Sequence, residues 1–286
     1  MPSLERYVFS GHESFPCKSL WLKKGYDFVF GGNDFNSADA VVKLGVGKNM
    51  VASIRYWMKA FGLTESDRLN DLGGFIFSSE YGKDPFVEDL GTLWLLHFML
   101  VSSKEASLYN LFYSSFQRER QSFERQQVVS FVRRCMIEDG KVKVFNENTV
   151  KKDVGVLLQN YVQPLKPQSM EDYSALLLDL DLIRTLDGKQ FYFNMEGKRQ
   201  LPEDILLYAI VKESNGERNV DYDMLQSIGL IFCLSDIELI HMLQTLQERY
   251  PSCLRYSDTA GVRQLQLLKA IEPMNVLRHY YDNEEI

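Results

Sequence analysis

The sequence predicts a mainly α fold with small β-hairpins, arranged as tandem winged-helix-like modules. Apolar residues recur at helical spacing along the chain, as at Met50, Ile54, Trp57, Met58 and Phe61. Short apolar runs bounded by turn residues follow the helical stretches. Helices followed by a hairpin come three times, over 1–116, 117–200 and 201–286, without sequence identity between the three. That order is the winged-helix order.

The first module opens with Tyr7-Val8-Phe9, Ser10-Gly11-His12-Glu13-Ser14-Phe15-Pro16 and Trp21-Leu22-Lys23-Lys24-Gly25. His12 and Glu13 are candidates for an acid–base or metal-ligand pair, although adjacent residues on a strand face opposite ways. The alternative is a turn in which His12 bonds locally and Glu13 caps a helix. His-x-Glu deaminase chemistry is excluded because the Pro-Cys-x-x-Cys half is missing.

Ser37 to Gly62 reads as two short helices around a glycine turn. Ser37 suits an N-cap, Ala38 to Lys43 would bury Ala38, Val41 and Val42, and Leu44-Gly45-Val46-Gly47 turns the chain. In the second helix Trp57 and Ile54 should pack against Val41, Val42 and Leu44. Lys48, Arg55 and Lys59 lie on another face, with Asn49, Ser53 and Tyr56 near them. This is a helix-turn-helix pattern with a basic, amide-bearing outer face. Lys48 can donate to guanine, Asn49 can pair both ways with adenine, and Arg55 and Lys59 can meet phosphates. Gly45-x-Gly47-Lys48 is no phosphate loop, since the glycine spacing and the following Ser/Thr are absent. After it, Phe75-Ile76-Phe77 could be a wing strand. Thr92 to Val101 reads as a buried helix in which His97 is a satisfied core histidine, and Leu108 to Phe116 as aromatic core.

In the second module Gln121 to Ile137 is an amphipathic helix with Arg125, Arg133 and Arg134 outward. Lys141 to Phe145 alternates like a short strand. Asn146 or Asn148 caps a helix with Lys151 and Lys152 in its first turn, and Leu176 to Asn194 is a hairpin turning at Asp187-Gly188. The third module starts helices at Pro202, at Asp221 or Tyr222, and at Ser235-Asp236, then makes a hairpin around Asp258 to Gly261. Its last helix presents Asp236, Glu238, His241, Gln244, Gln247 and Glu248, which suits protein contacts or dimerisation and disfavours phosphate.

Charge is unevenly spread. The chain is net −7, yet residues 1–62 hold eight Lys/Arg against five Asp/Glu, and 117–152 hold nine against five. A basic patch acts within a Debye length of about 10 Å, so the acidic total does not exclude DNA. At 286 residues and 45% hydrophobic composition the chain can furnish real cores. Leu90 to Val101 is too short to span a bilayer, and Met1 to Phe15 carries no signal pattern. Cys17, Cys135, Cys233 and Cys253 form no CxxC pair, which points to buried cytosolic thiols and away from structural zinc. A cytoplasmic protein is expected.

Three stretches also carry a family resemblance: Gly11-His12-Glu13-Ser14-Phe15, Leu44 to Met50 with Ser53-Ile54-Arg55-Tyr56-Trp57, and Thr92-Leu93-Trp94-Leu95-Leu96-His97. Together they resemble a bacterial family labelled domain of unknown function 4007, over most of the chain. The resemblance implies a place beside phosphosulfate-reductase-like proteins in DNA phosphorothioation and phage-defence loci. A related component of single-strand systems is regarded as DNA-nicking.

Two functions of different class follow as expectations. One is a non-enzymatic adaptor that binds double-stranded DNA through Lys48, Asn49, Ser53, Arg55, Tyr56 and Lys59, with Arg133, Arg134, Lys151 and Lys152 as a second face. It would need no cofactor and would position proteins of a sulfur-transfer or defence complex. The other is a Mg²⁺-dependent DNA nickase, whose weak candidates are Asp71 with Glu80 and Lys83, or His12 with Glu13. A transcription regulator would use the same DNA-binding face.

Overall fold

The computed structural model describes residues 4–196, 200–259, 262–284 and 286. The chain falls into two compact units, Met1–Asn194 and Met195–Ile286. Both are mainly helical, with small antiparallel sheets.

In the first unit α1 (Trp21–Phe30), α2 (Ala40–Leu44) and α3 (Lys48–Ala60) lead into a minimal hairpin, β1 (Thr64–Glu65) and β2 (Arg68–Leu69). Gly45, at φ 63°, makes the left-handed turn between α2 and α3 that a side chain would disfavour. α2 starts later than its sequence suggests, with Asp39 rather than Ser37 at its N-cap position. Ala40 and Leu44, one turn apart, therefore face inward, while Ala38, Val41 and Val42 are exposed. The expected packing of Trp57 on Val41 and Val42 is corrected accordingly. Trp57 and Ile54 are fully buried, and α1 comes so close that a Cβ on Gly25 would sit 2.7 Å from Met58 Cγ.

Phe75-Ile76-Phe77 is not a strand but the end of α4 (Asp71–Phe77). Asn70 caps that helix by accepting the Gly73 N–H at 3.0 Å, and its amide donates to Gly62 O at 2.7 Å. A three-residue apolar run cannot distinguish a strand from a buried helical face, and the cap decides it. α5 (Leu90–Ser102) is buried nearly all round from Gly91 to Val101, as its sequence predicts. His97 is buried on it, with Nδ1 2.8 Å from the Tyr161 hydroxyl.

α6 (Ser107–Leu111) runs through a π-helical turn at Phe112–Phe116 into the single turn α7 (Gln117–Glu119). Phe112 meets Phe123 at 5.2 Å and Phe193 at 4.8 Å between ring centroids, and Tyr113 meets Tyr161 at 5.2 Å. Residues on both sides of position 116 thus share one core and one compact unit. β3 (Ser122–Glu124) precedes α8 (Arg125–Glu138), and α9 (Glu147–Tyr161) is capped by Asn146 through the Thr149 N–H. Lys141 to Phe145, expected as a strand, contains a 3₁₀ turn at Val142–Val144. The sheet places are taken by β3, β5 (Gln190–Phe193) and β4 (Ile183–Thr185), in the order β3-β5-β4. The β4–β5 hairpin turns at Asp187-Gly188, as expected: Asp187 accepts the N–H groups of Lys189 and Gln190, and Gly188 has φ 74°.

The second unit holds α10 (Glu203–Ser214), β6 (Asn219–Asp221), α11 (Tyr222–Ile231), α12 (Asp236–Arg249), β7 (Leu254–Thr259), β8 (Val262–Leu267) and α13 (Pro273–Asp282). Its helix starts follow the sequence reading: Pro202 and Asp221 are N-caps, and Ser235 with Glu238 forms a capping box. β7 and β8 pair antiparallel, while Ala260 and Gly261 at the expected turn lie outside the described residues. Buried Asp204 is satisfied by the Tyr250 hydroxyl at 2.5 Å and by Arg249 at 3.0 Å. Among the described residues no single helix is long and apolar enough to cross a membrane, and all four cysteines are buried free thiols.

Candidate nucleic-acid interface

α3 divides its residues between two jobs. Val51, Ile54, Trp57 and Met58 turn into the core. The opposite face, with Lys48, Asn49, Arg55, Tyr56 and Lys59, lines a cleft of about 1310 Å³. Five of the six α3 residues expected to contact DNA are therefore brought together. Ser53 is the exception: it is fully buried and its hydroxyl donates to His12 O at 3.0 Å. It lies beside Trp57 at the edge of the buried stripe, so it leaves the candidate contact face.

The cleft is not a plain basic surface. Its three cations share it with Glu13, Glu65, Asp67 and Glu105. Arg55 is forked by Asp67, with Nε–Oδ1 at 2.9 Å and Nη2–Oδ2 at 2.5 Å, and also donates to Asn36 Oδ1 at 3.0 Å. The Asp67 carboxylate raises the guanidinium's pKa above its ordinary value. Lys59 Nζ lies 2.9 Å from Glu105. Lys48 makes no ion pair among the described residues. The sequence reading placed only a wing strand, at Phe75-Ile76-Phe77, after α3 and so missed Asp67. The signal was the polar Ser66-Asp67 pair flanked by two-residue strands. Both residues have positive φ, 49° and 61°, as a tight two-residue hairpin requires.

The second expected face is similarly half occupied. Arg134 pairs with Glu119 at 2.5 Å, and Lys151 with Glu147 at 2.7 Å, which lowers the Glu147 pKa. Arg133 and Lys152 make no salt bridge among the described residues.

The Gly11-His12-Glu13-Ser14 stretch is a tightly held loop beside the cleft. A Cβ on Gly11 would collide with the Tyr56 ring, so glycine is required by close approach. His12 is 2% exposed, with Nε2 3.1 Å from Asp153 Oδ1 and Nδ1 accepting the Ser14 N–H at 3.1 Å. Asp153 also accepts the Ser10 N–H at 3.1 and 3.0 Å, and the Trp57 indole donates to Phe15 O at 3.2 Å. Ser10, Glu13 and Ser14 are all held at positive φ, at 65°, 49° and 66°. Such backbone persists only where surrounding contacts over-determine it. His12 is thereby a clamp for the loop, without the exposure an acid–base partner of substrate needs. Glu13, exposed, lines the cleft.

The other weak catalytic set has lost its scaffold. Asp71 is at the exposed start of α4, while Glu80 and Lys83 are exposed in the loop after it, so no strand aligns the three. Among the described residues no group of three or more His, Cys, Asp or Glu is placed to hold a metal ion.

A mainly helical protein with a polar helix face lining a mixed-charge cleft is the class that fold and site define. The chain belongs to the family described as "Protein of unknown function (DUF4007)", whose model matches residues 9–281. Among curated proteins nothing matches the sequence. A crystal structure of SspB with a magnesium ion bound is similar, at 25% identity and TM-score 0.86 over 97% of this chain and 89% of that one. A second SspB crystal structure gives TM-score 0.84 at the same identity and coverage.

Proposed function

We propose that this protein is the DNA-binding component of a phosphorothioation-type DNA-modification or phage-defence system, an adaptor that positions partner enzymes on double-stranded DNA. The observation that carries the reading is the convergence of Lys48, Asn49, Arg55, Tyr56 and Lys59 on one cleft. Exposed ion pairs contribute only about 0–1 kcal/mol, so phosphates can exchange for Asp67 and Glu105 at little cost. Once exchanged, each neutralised phosphate releases counterion, and Asn49 is left to read a base edge.

The test is duplex binding by fluorescence anisotropy with the Lys48, Arg55, Lys59 triple alanine variant. Folded protein that has lost binding supports the reading. Folded protein that binds as wild type does removes α3 as the DNA surface and leaves protein recruitment as the account.

A second reading, DNA nicking, is favoured by the magnesium ion in the similar SspB structure. Against that ion the described residues offer no group of three or more His, Cys, Asp or Glu placed to hold a metal. Incubation with supercoiled plasmid and Mg²⁺ or Mn²⁺ separates the readings. Nicked circles that vanish in Glu13→Gln would replace the adaptor by the nickase.

A further inference from the structure

A second cleft in the first unit, of about 650 Å³, takes no part in the DNA reading. Its walls come from the end of α9 (Gly155, Gln159), the start of α8 (Arg125), the β4–β5 turn (Gly188) and the loop at 162–174. Its remaining wall is Ser14-Phe15-Pro16, the continuation of the clamped loop whose Glu13 lines the first cleft.

The charge state here is the reverse of the first cleft. Arg125 lays its guanidinium on the Phe191 ring at 5.5 Å and pairs with no carboxylate among the described residues. Lys166 is exposed and also unpaired among them. The two acids of the wall are already engaged. Lys18 pairs with Glu171, and Asp172 accepts the N–H groups of Gln168 at 2.7 Å and Ser169 at 3.0 Å. Positive charge is left over.

The rim is apolar. Leu165 is 53% exposed, Met170 85%, Tyr173 46% and Leu186 87%, all on the two loops that border the cleft. Those loops adjoin each other, since a Cβ on Gly188 would touch Leu165 at 3.6 Å. Gln159 is exposed on the α9 wall and offers an amide that can pair with a peptide group. The volume falls within the range of about 300–1,000 Å³ usual for ligand clefts and suits a short extended chain rather than a duplex.

We infer that this second cleft is the docking site for an extended segment of a partner protein that carries carboxylates beside apolar side chains. Free Arg125 and Lys166 would meet the carboxylates, and the Leu165 and Leu186 rim the apolar groups. A nucleic acid would leave that exposed apolar rim in water. The inference deepens the adaptor reading and rests on it, since an adaptor needs a partner surface apart from its DNA surface.

Phage-displayed random peptides panned on the full chain provide the probe. Enriched peptides are expected to combine Asp or Glu with Leu, Phe or Met. A fluorescein-labelled consensus peptide should bind without DNA, and Arg125→Glu and Leu186→Ser should each weaken it about tenfold or more. Glutamate suits the first turn of a helix, so Arg125→Glu does not threaten α8, and unchanged melting curves would verify this. Both variants should bind duplex DNA as wild type does, while the Lys48, Arg55, Lys59 triple variant keeps the peptide. Loss of DNA binding in none of these variants sinks the DNA reading and leaves the peptide result standing. The docking site itself is overturned by failure to enrich any shared sequence, or by peptides that bind both variants normally. It is equally overturned if oligothymidine displaces the peptide and is itself lost in Arg125→Glu, or if Arg125→Glu merely dissolves a dimer.

Discussion

Asp67→Asn should tighten duplex binding. Asp67 forks Arg55 from the β1–β2 turn, and both side chains are substantially exposed, at 40% and 41%. The pair therefore contributes little to folding, within the range of about 0–1 kcal/mol for exposed pairs, and the variant should melt close to wild type. Its effect on an incoming phosphate is larger. A carboxylate about 5 Å from a phosphate repels it by about 0.8 kcal/mol at the dielectric constant of water. Removing that charge should raise affinity about fourfold, and freeing Arg55 for one more phosphate should steepen the log–log salt slope by about 0.9. Anisotropy titrations of a short labelled duplex across a salt series read both quantities. Weaker binding, or unchanged affinity with an unchanged slope, would refute the claim that Asp67 competes with DNA for Arg55.

Other outcomes can be checked on the same protein. Ile54→Ala, at a fully buried position, should cost about 2–5 kcal/mol in a urea melt. Lys59→Ala should weaken binding to every sequence and shallow the salt slope by about one counterion, whereas Asn49→Ala should cost about 1–3 kcal/mol at one base position and leave the slope alone. Asn146→Ala removes the α9 cap and should cost about 1 kcal/mol. Burial pushes the Cys135 thiol up to about 11. The raised value makes thiolate scarce until the pH approaches it, so alkylation of native protein at pH 8 should be slow and should accelerate sharply on unfolding.

Much of this protein is legible in its sequence because local chemistry settles it. Asn146, Asp221 and Ser235 cap helices where their side chains reach nearby N–H groups, and Asp187-Gly188 turns a hairpin because glycine accepts positive φ. The apolar stripe of α3 fixes which face is buried, and with it the collection of Lys48, Asn49, Arg55, Tyr56 and Lys59 on the other. Net charge by segment marks two basic stretches, but counting charges along the chain cannot show which groups neutralise them. Asp67 and Glu105 reach Arg55 and Lys59 from 12 and 46 positions away, and only the folded chain brings them there. The same holds for Ser53 and His12. Their polarity reads as surface chemistry, yet His12 is buried against Asp153, on a helix more than a hundred residues later, and Ser53 is buried on α3 with its hydroxyl donating to the His12 carbonyl. Phe75 to Phe77 and Lys141 to Phe145 fail for a related reason. Apolar runs so short carry no period of their own, so a cap at Asn70 and the prior occupation of the sheet by β3 and β4 decided their structure. Sequence determined the elements and the faces, where the interactions span a helical turn or a hairpin. Tertiary structure decided which polar groups remained available, because that depends on partners far along the chain.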